Sequence, residues 1–142
     1  MKTRLPIAMC GVLALWGCSK NSSPTAPTTT AATTTGPATI LFSGTLEPRG
    51  TRFYSYSMTT SGTVTAMLAS LERNGVPMTN ALEIGLGIPA GTGCSVGATH
   101  NSGPLLIPQL RQDFGTGTYC VRIADVDGLP APMTFTIRVI HP

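Results

Sequence analysis

Residues 115–123 read GTGTYCVRI, and this stretch decides the class of fold. The glycines at its start favour a tight turn, and the alternating apolar residues Tyr119, Val121 and Ile123 have the two-residue period of a strand with one buried face. Cys120 lies between them and is therefore expected on the opposite, outer face. The stretch predicts a turn that leads directly into a half-buried β-strand.

The same period recurs along the chain from residue 39 onward. The composition agrees with a turn-rich β protein, since the chain has 16 Gly, 12 Pro and only 11% charged residues. Besides the stretch above, strands are predicted at 40–46, 52–58, 63–71, 82–88, 105–110 and 133–140. Together they predict an all-β fold, a small antiparallel β-sandwich of about seven strands that occupies residues 39–142.

The connections between these strands are also predicted from the sequence. The first three strands follow one another closely and are expected to form a meander. Residues 74–77 are expected to interrupt the sheet, and residues 89–104 form the longest irregular segment because glycine and proline are frequent there. Pro108 indicates that the strand at 105–110 is an edge strand or contains a bulge.

Residues 1–17 have the pattern of a secretory signal peptide, with a short basic start and an uncharged apolar run too short to span a bilayer. The segment ends in LWGC at residues 15–18, which resembles the lipobox of bacterial lipoproteins. Gly17 is the small residue that the peptidase requires beside the cut, and the thiolate of Cys18 is the nucleophile that takes the lipid. We therefore predict lipidation of Cys18, and Ser19 favours the outer membrane or cell surface. The alternative is a plain signal peptide with Cys18 incidental.

Residues 18–38 are predicted to be a disordered linker between the lipidated cysteine and the domain. After Cys18 the segment is rich in threonine, serine and proline and has no large apolar residue, so it cannot bury enough surface to fold. Twenty residues of this kind reach roughly 60 Å when fully extended at about 3.1 Å per residue. A glycosylated or partner-recognised threonine stalk is the alternative interpretation.

The order of the strand sequences resembles that of the pre-peptidase C-terminal (PPC) domain family. The segments that carry the resemblance are FSGTL, RFYSYSM, GTVTAML, LEIGLGI, GTGTYCVRI and MTFTIRV, in this order between residues 40 and 140. The resemblance implies a small jelly-roll-like β-sandwich with an accessory, non-catalytic role beside secreted enzymes. We expect no enzyme joined to the domain in this chain, so such a role would have to be exercised in trans.

Cys94 and Cys120 are the two cysteines within the predicted domain, and in an exported protein they are expected to form a disulfide. The bond would close a loop of about 25 residues and contribute roughly 3 to 4 kcal/mol to stability. Because Cys120 is expected to point outward, the bridge should lie on the outer face of the sheet or at its edge. No CxxC motif or nearby pair of histidines supports a metal site instead.

Ser95, His100 and Asp113 are the residue types of a hydrolytic triad, but no GxSxG motif marks a serine as the nucleophile. A small hydrolase that uses Ser95 and His100 is thus the weaker alternative, and it requires these side chains within hydrogen-bond reach. Asp125 and Asp127, in the sequence DVDG, form a weak calcium candidate that lacks further ligands, and an ordinary turn is the simpler interpretation. We predict no enzyme activity and no cofactor.

Phe53 lies opposite the tyrosines of its strand and is expected to be exposed, so Phe53, Arg52 and His100 are the predicted binding surface, together with the loops of 89–104. Without Lys2 and Arg4, which lie in the signal peptide, seven basic and six acidic side chains remain. This balance predicts no nucleic-acid binding. The sequence predicts a monomeric envelope lipoprotein that binds a protein or polysaccharide, and the alternative is a structural surface protein.

Overall fold

The computed structural model describes residues 36–142. The predictions for the signal peptide (1–17), Cys18 and the linker up to residue 35 lie outside the described residues. The strands are β1 (Ala38–Leu46), β2 (Thr51–Met58), β3 (Gly62–Arg73), β4 (Val76–Pro77), β5 (Leu82–Ala90), β6 (Gly93–Ser102), β7 (Leu110–Phe114), β8 (Gly117–Ala124) and β9 (Met133–His141). Over these residues no helix has the length and hydrophobicity to cross a bilayer.

The strands form two antiparallel sheets. Sheet A has the order β1-β9-β3-β4, with β7 also paired to β3, and sheet B has the order β2-β8-β5-β6. The pairs β1–β9, β2–β8, β3–β7 and β5–β6 are nested along the chain, which is the pairing of a jelly roll. The prediction of a small antiparallel β-sandwich is therefore confirmed.

The predicted meander of the first three strands is wrong. Strand β1 pairs with β9, β2 pairs with β8 in the other sheet, and β3 pairs with β9, β7 and β4. The period of apolar residues within a segment identifies a strand but carries no information about its partner. In a jelly roll most partners are distant in sequence, so the local pattern could not give the pairing.

The predictions for residues 74–110 are also corrected. The expected irregular segment contains β6, and the strand expected at 105–110 is a loop, with β7 beginning only at Leu110. Strand β6 was not predicted because it is an edge strand of mostly small and polar residues without apolar alternation. Asn74 and Gly75, with φ angles of 51° and 78°, form the two-residue turn of a β3–β4 hairpin. The domain thus has nine strands rather than about seven.

The core lies between the two sheets, where the predicted inward faces meet. Its fully buried side chains include Leu46, Val64, Leu68, Leu71, Leu82, Ile84, Leu86, Val121, Ile123, Met133, Phe135, Ile137 and Val139. Tyr56 is buried among them, and burial together with the neighbouring Tyr119 raises its pKa above the ordinary value. Ile88 continues the apolar alternation of Leu82, Ile84 and Leu86 but is exposed, because it lies beyond Gly87, the last residue of β5 that pairs with β8.

Candidate binding surface

The outer face of sheet A carries a shallow groove of about 340 Å³. Strands β1, β9 and β3 line it, mainly with hydroxyl side chains, and the register aligns these in two rows across the sheet. The lining residues are Ser43, Gly44, Thr45, Ser70, Glu72, Thr134, Phe135 and Thr136, which together are called the hydroxyl groove.

A β-bulge brings two of the lining residues to the groove. In an unbroken strand Ser70 and Glu72 would share the face of Leu68, which points into the core. The pairing of β3 with β9 shifts between Leu68 and Ser70, so that Ala69 is the extra residue. Beyond the shift Leu71 is buried, and Ser70 and Glu72 face outward.

Hydrogen bonds within the groove involve three of its six polar side chains and leave Thr45, Ser70 and Glu72 available. The hydroxyls of Ser43 and Thr136 lie 3.0 Å apart, and the Thr134 hydroxyl donates to the backbone oxygen of Glu72 at 3.3 Å. The Glu72 carboxylate forms no ion pair with any described residue. Hydroxyls both donate and accept hydrogen bonds, whereas a carboxylate only accepts. The groove is thus equipped for a ligand rich in hydrogen-bond donors, including a cationic one.

Beside the groove, residues 103–109 form a loop that is fixed to β3 at its base. The side-chain oxygen of Gln109 accepts a hydrogen bond from the Leu68 amide at 2.9 Å, and its side-chain nitrogen donates to the Gly103 oxygen at 2.8 Å. The backbone amide of Gln109 donates to the Ala66 oxygen at 3.1 Å. Gln109 therefore replaces strand pairing along this part of the β3 edge. We call residues 103–109 the apolar loop.

Three consecutive aliphatic residues form the tip of the apolar loop and are exposed to solvent. Leu105, Leu106 and Ile107 are exposed, Leu106 to 77% and Ile107 to 64%. Arg138 lies under the tip, donates to the Leu106 oxygen at 3.4 Å and contacts the sulfur of Met67 at 3.0 Å. The loop buries Met67, which belongs to the outer face of sheet A. An exposed apolar tip on a hydrogen-bonded base is typical of an interaction surface.

The structure separates the residues that were predicted as a binding surface. Phe53 is 38% exposed on the outer face of sheet B, directly opposite Arg122. Arg52 points to the other side of the same strand, opposite Ile123, and its Nε donates to the Thr45 oxygen at 3.3 Å. Its guanidinium helps to close the seam between β1 and β2. Phe53 and Arg52 therefore cannot form one surface.

The residues of the hydrolase alternative are not brought together. Ser95 and His100 lie on β6 opposite Ile88 and Ile84, which are four residues apart on β5, and this corresponds to about 13 Å at roughly 3.3 Å per residue. Asp113 is on β7, where its carboxylate accepts a hydrogen bond from the Thr63 hydroxyl at 2.6 Å. Catalysis by Ser95 and His100 requires hydrogen-bond contact between them, and this geometry excludes it.

Asp125 is buried, and its carboxylate is bonded to the backbone. One oxygen accepts from the amide of Gly128 at 2.9 Å, and the other accepts from the amides of Arg49 and Leu129, both at 2.6 Å. Burial alone would raise the pKa of Asp125, but the amides of Arg49, Leu129, Gly128 and Asp127 outweigh it and lower the pKa. Both oxygens are used in joining two turns, so the turn interpretation describes this residue better than the calcium hypothesis.

The predicted disulfide is present between Cys94 and Cys120, with their Cα atoms 5.9 Å apart. These residues lie on β6 and β8, which are separated by β5, and strands two positions apart in a flat sheet are about 9.6 Å apart. Strand β6 therefore curls over the outer face of β5. Cys120 faces outward as predicted, yet the curl buries it completely.

The hydroxyl groove and the apolar loop were both missed by the sequence analysis. The groove depends on the Ala69 bulge and on a strand pairing that is distant in sequence, and neither leaves a local signal. The loop did have a signal, because Leu105, Leu106 and Ile107 are consecutive apolar residues without alternation, followed by Pro108. Such a run is a poor match to a half-buried edge strand.

Comparisons with known proteins assign no family to the chain. No family model matches the chain, and no curated protein matches it. Among solved structures, the chain is similar to a periplasmic inhibitor of g-type lysozyme from Aeromonas hydrophila, with a TM-score of 0.49 and 11% identity over 75% of this chain and 89% of that one. This degree of similarity carries no argument about function. The resemblance to PPC domains stays a prediction.

Proposed function

We propose that this protein is an exported, non-catalytic binding module that is anchored to the cell envelope through Cys18 and takes its ligand in the hydroxyl groove. The observation that carries the proposal is the groove itself, a concave site of about 340 Å³ in which the Glu72 carboxylate makes no ion pair with a described residue. Ligand sites in proteins are concave and place a few polar groups where the ligand can meet them. The Cys94–Cys120 disulfide supports export, since disulfides persist in oxidising compartments.

The ligand that suits the groove best is a short segment of another protein that carries a basic side chain. Glu72 would pair with that side chain, and the hydroxyls of the two rows would bond to its backbone. The one aromatic ring that lines the groove belongs to Phe135, which is buried in the core and offers no stacking platform. A protein ligand is for this reason preferred to a polysaccharide.

A structural surface protein is the competing interpretation, and it predicts a polar surface without a concave site. The groove and the exposed tip of the apolar loop both argue against it. A role in assisting secreted enzymes, which the PPC resemblance implies, would require that the protein ligand be such an enzyme.

A matched pair of serine substitutions tests the proposal. Ser43 and Ser55 are both exposed serines on the outer faces of edge strands, Ser43 in the groove and Ser55 on sheet B. Ser43→Arg fills the groove and places a positive charge near Glu72, whereas Ser55→Arg adds the same side chain elsewhere. The chain from residue 36 onward, immobilised and exposed to envelope extract, should retain a protein that Ser43→Arg loses and Ser55→Arg keeps. If both variants retained the protein equally, the hydroxyl groove would not be its binding site.

The anchor is tested separately by metabolic labelling with palmitate. The wild-type chain should incorporate the label and fractionate with membranes, and Cys18→Ala should do neither. Persistence of the label in Cys18→Ala would show that the lipid is not attached to Cys18 and would contradict the predicted lipobox.

A further inference from the structure

One end of the outer face of sheet A combines aliphatic side chains with arginines. The register places Leu41, which is 61% exposed, directly opposite Arg138, beside the tip of the apolar loop. Arg111, exposed at the start of β7, lies on the same face. We call Leu41, Leu106, Ile107, Arg111 and Arg138 the basic-aliphatic end.

The two arginines of this end have no carboxylate partner within residues 36–142. The described residues contain one ion pair, between Glu83 and Arg122, and it lies on sheet B. Arg138 bonds only to a sulfur and a backbone oxygen, and Arg111 makes no ion pair with a described residue. Asp113, the other charged residue of β7, lies further from the loop and is bonded to Thr63. A partner for this end must supply both anionic groups and an apolar medium.

We propose that the basic-aliphatic end contacts a membrane surface that contains anionic lipids. Leu41, Leu106 and Ile107 would enter the boundary of headgroups and acyl chains, and the guanidinium groups would bind lipid phosphates. The proposal rests on the proposed anchor. Strand β1 begins at Ala38, only three residues before Leu41, and the expected lipid at Cys18 is one linker length away. The predicted linker would reach roughly 60 Å at full extension, which would keep a bilayer within reach of this end.

Such a contact would orient the hydroxyl groove. Ser43 and Thr45 of the groove lie two and four residues from Leu41 on β1, which corresponds to about 7 Å and about 13 Å along the strand. When the basic-aliphatic end touches the membrane, the groove would therefore lie next to the lipid headgroups in one fixed orientation. The lipid anchor alone would leave the domain free to tumble at the end of its linker.

The experiment replaces the natural lipid by a chemical one, so that its outcome is independent of the natural lipidation of Cys18. The chain from Cys18 onward is coupled through the Cys18 thiol to a maleimide lipid, with Cys94 and Cys120 protected by their disulfide. All nine strands and the core lie within Ala38–His141, so this chain retains the fold. The vesicles contain either phosphatidylglycerol and phosphatidylethanolamine, or phosphatidylcholine alone. Amide hydrogen exchange is measured by mass spectrometry.

On the anionic vesicles, exchange at residues 105–107 should slow by roughly tenfold relative to the uncoupled chain, and by less on phosphatidylcholine. The double variant Leu106→Gln with Ile107→Gln should abolish the slowing, and Arg111→Gln should weaken it on anionic vesicles only. Val76→Gln is the matched control, because Val76 in β4 is 60% exposed against 64% for Ile107. It should leave the slowing unchanged.

Unchanged exchange at residues 105–107 on both kinds of vesicle would overturn the membrane contact. So would equal slowing in the double variant, or a loss of slowing in Val76→Gln. The double variant could instead fail to retain an envelope protein that the wild-type chain retains, while exchange at residues 105–107 is the same with and without vesicles. The loop would then be a protein contact, and the membrane proposal would be wrong. In the assay with envelope extract, the double variant should still retain the protein that Ser43→Arg loses. A failure of the membrane contact is thereby distinguished from a failure of the proposed function.

Discussion

The outer faces of sheets A and B start from similar material, small polar residues with few charges, but the fold uses them differently. On sheet B, β6 curls over β5, the backbone of Ser95 and Val96 lies close to Gly87, and the Cys94–Cys120 bridge joins β6 to β8. On sheet A, the register leaves the hydroxyl groove open and the apolar loop projects into solvent. One face is thus used for stability, and the other is left free for contacts. The following predictions test this division, in order of decreasing effect.

Removal of the disulfide should have the largest effect. Replacing Cys94 and Cys120 together by alanine opens a loop with a sequence separation of 26 residues, and the loop-entropy model gives a loss of about 3.5 kcal/mol. Denaturant unfolding followed by tyrosine fluorescence or circular dichroism measures this loss. The hydroxyl groove should still bind its ligand below the unfolding transition. Loss of binding in the folded variant would mean that the two faces are coupled.

Gly87→Ala should be the next largest. A Cβ at Gly87 would lie 2.7 Å from the Ser95 carbonyl carbon and from the Val96 Cα, which are backbone atoms that cannot move independently. The variant should therefore lose about 2 to 3 kcal/mol, in the upper part of the range for overpacked sites. Gly93→Ala on β6 is the control, because its nearest atom would be at 3.7 Å. Similar stability of the two variants would contradict the curl of β6 over β5.

Asp125→Asn should cost about 2 kcal/mol at neutral pH, because the new side-chain amide cannot accept all three backbone hydrogen bonds. The folded pKa of Asp125 is lowered, so its charged form stabilises the fold. This stabilisation is present above the unfolded pKa of about 3.9 and is lost as pH falls through the folded value. The free energy of unfolding of the variant should consequently depend less on pH below about 4. Asp125 joins turns at the end of the sandwich, so the substitution should not destabilise one outer face more than the other. Urea unfolding at a series of pH values measures this dependence. A free energy of unfolding that falls as steeply at low pH in the variant as in the wild-type chain would contradict the role of Asp125.

Gln109→Ala should have the smallest effect on global stability, about 1 kcal/mol, because it removes two side-chain hydrogen bonds at an edge. Its local effect should be larger. Exchange of the Leu68 amide and of residues 103–109 should accelerate in hydrogen-exchange measurements, while β5, β6 and β8 stay protected. Gln112→Ala on the neighbouring strand β7 is a control, since no hydrogen bond joins its side chain to the loop. Uniform acceleration across both sheets would show that the loop is part of the common core.

The predictions from sequence succeeded where one strand could be analysed by itself. Tyr119, Val121 and Ile123 point inward and Cys120 points outward, because alternation along a strand is set by covalent geometry. The disulfide followed from there being two cysteines in the domain. Strand β6 was not predicted, since an edge strand with many exposed side chains needs no alternation of apolar and polar residues.

The candidate site could not be predicted in the same way. Phe53 and Arg52 are adjacent in sequence and were grouped for that reason, yet adjacent residues of a strand face opposite sides of the sheet. Ser70 and Glu72 reach the hydroxyl groove through a bulge whose position depends on the register with β9.

The amino-acid sequence by itself determined the class of fold, the inward face of most strands and the cysteine pair, because these depend on local periodicity and composition. Only the tertiary structure decided the order of the strands, the nested pairing of the jelly roll and the use of the two outer faces. Those features depend on contacts between segments far apart in the chain, and such contacts leave no pattern in either segment alone. The strand at 117–124 illustrates both: its alternation was evident in the sequence, whereas the burial of Cys120 required the curl of β6.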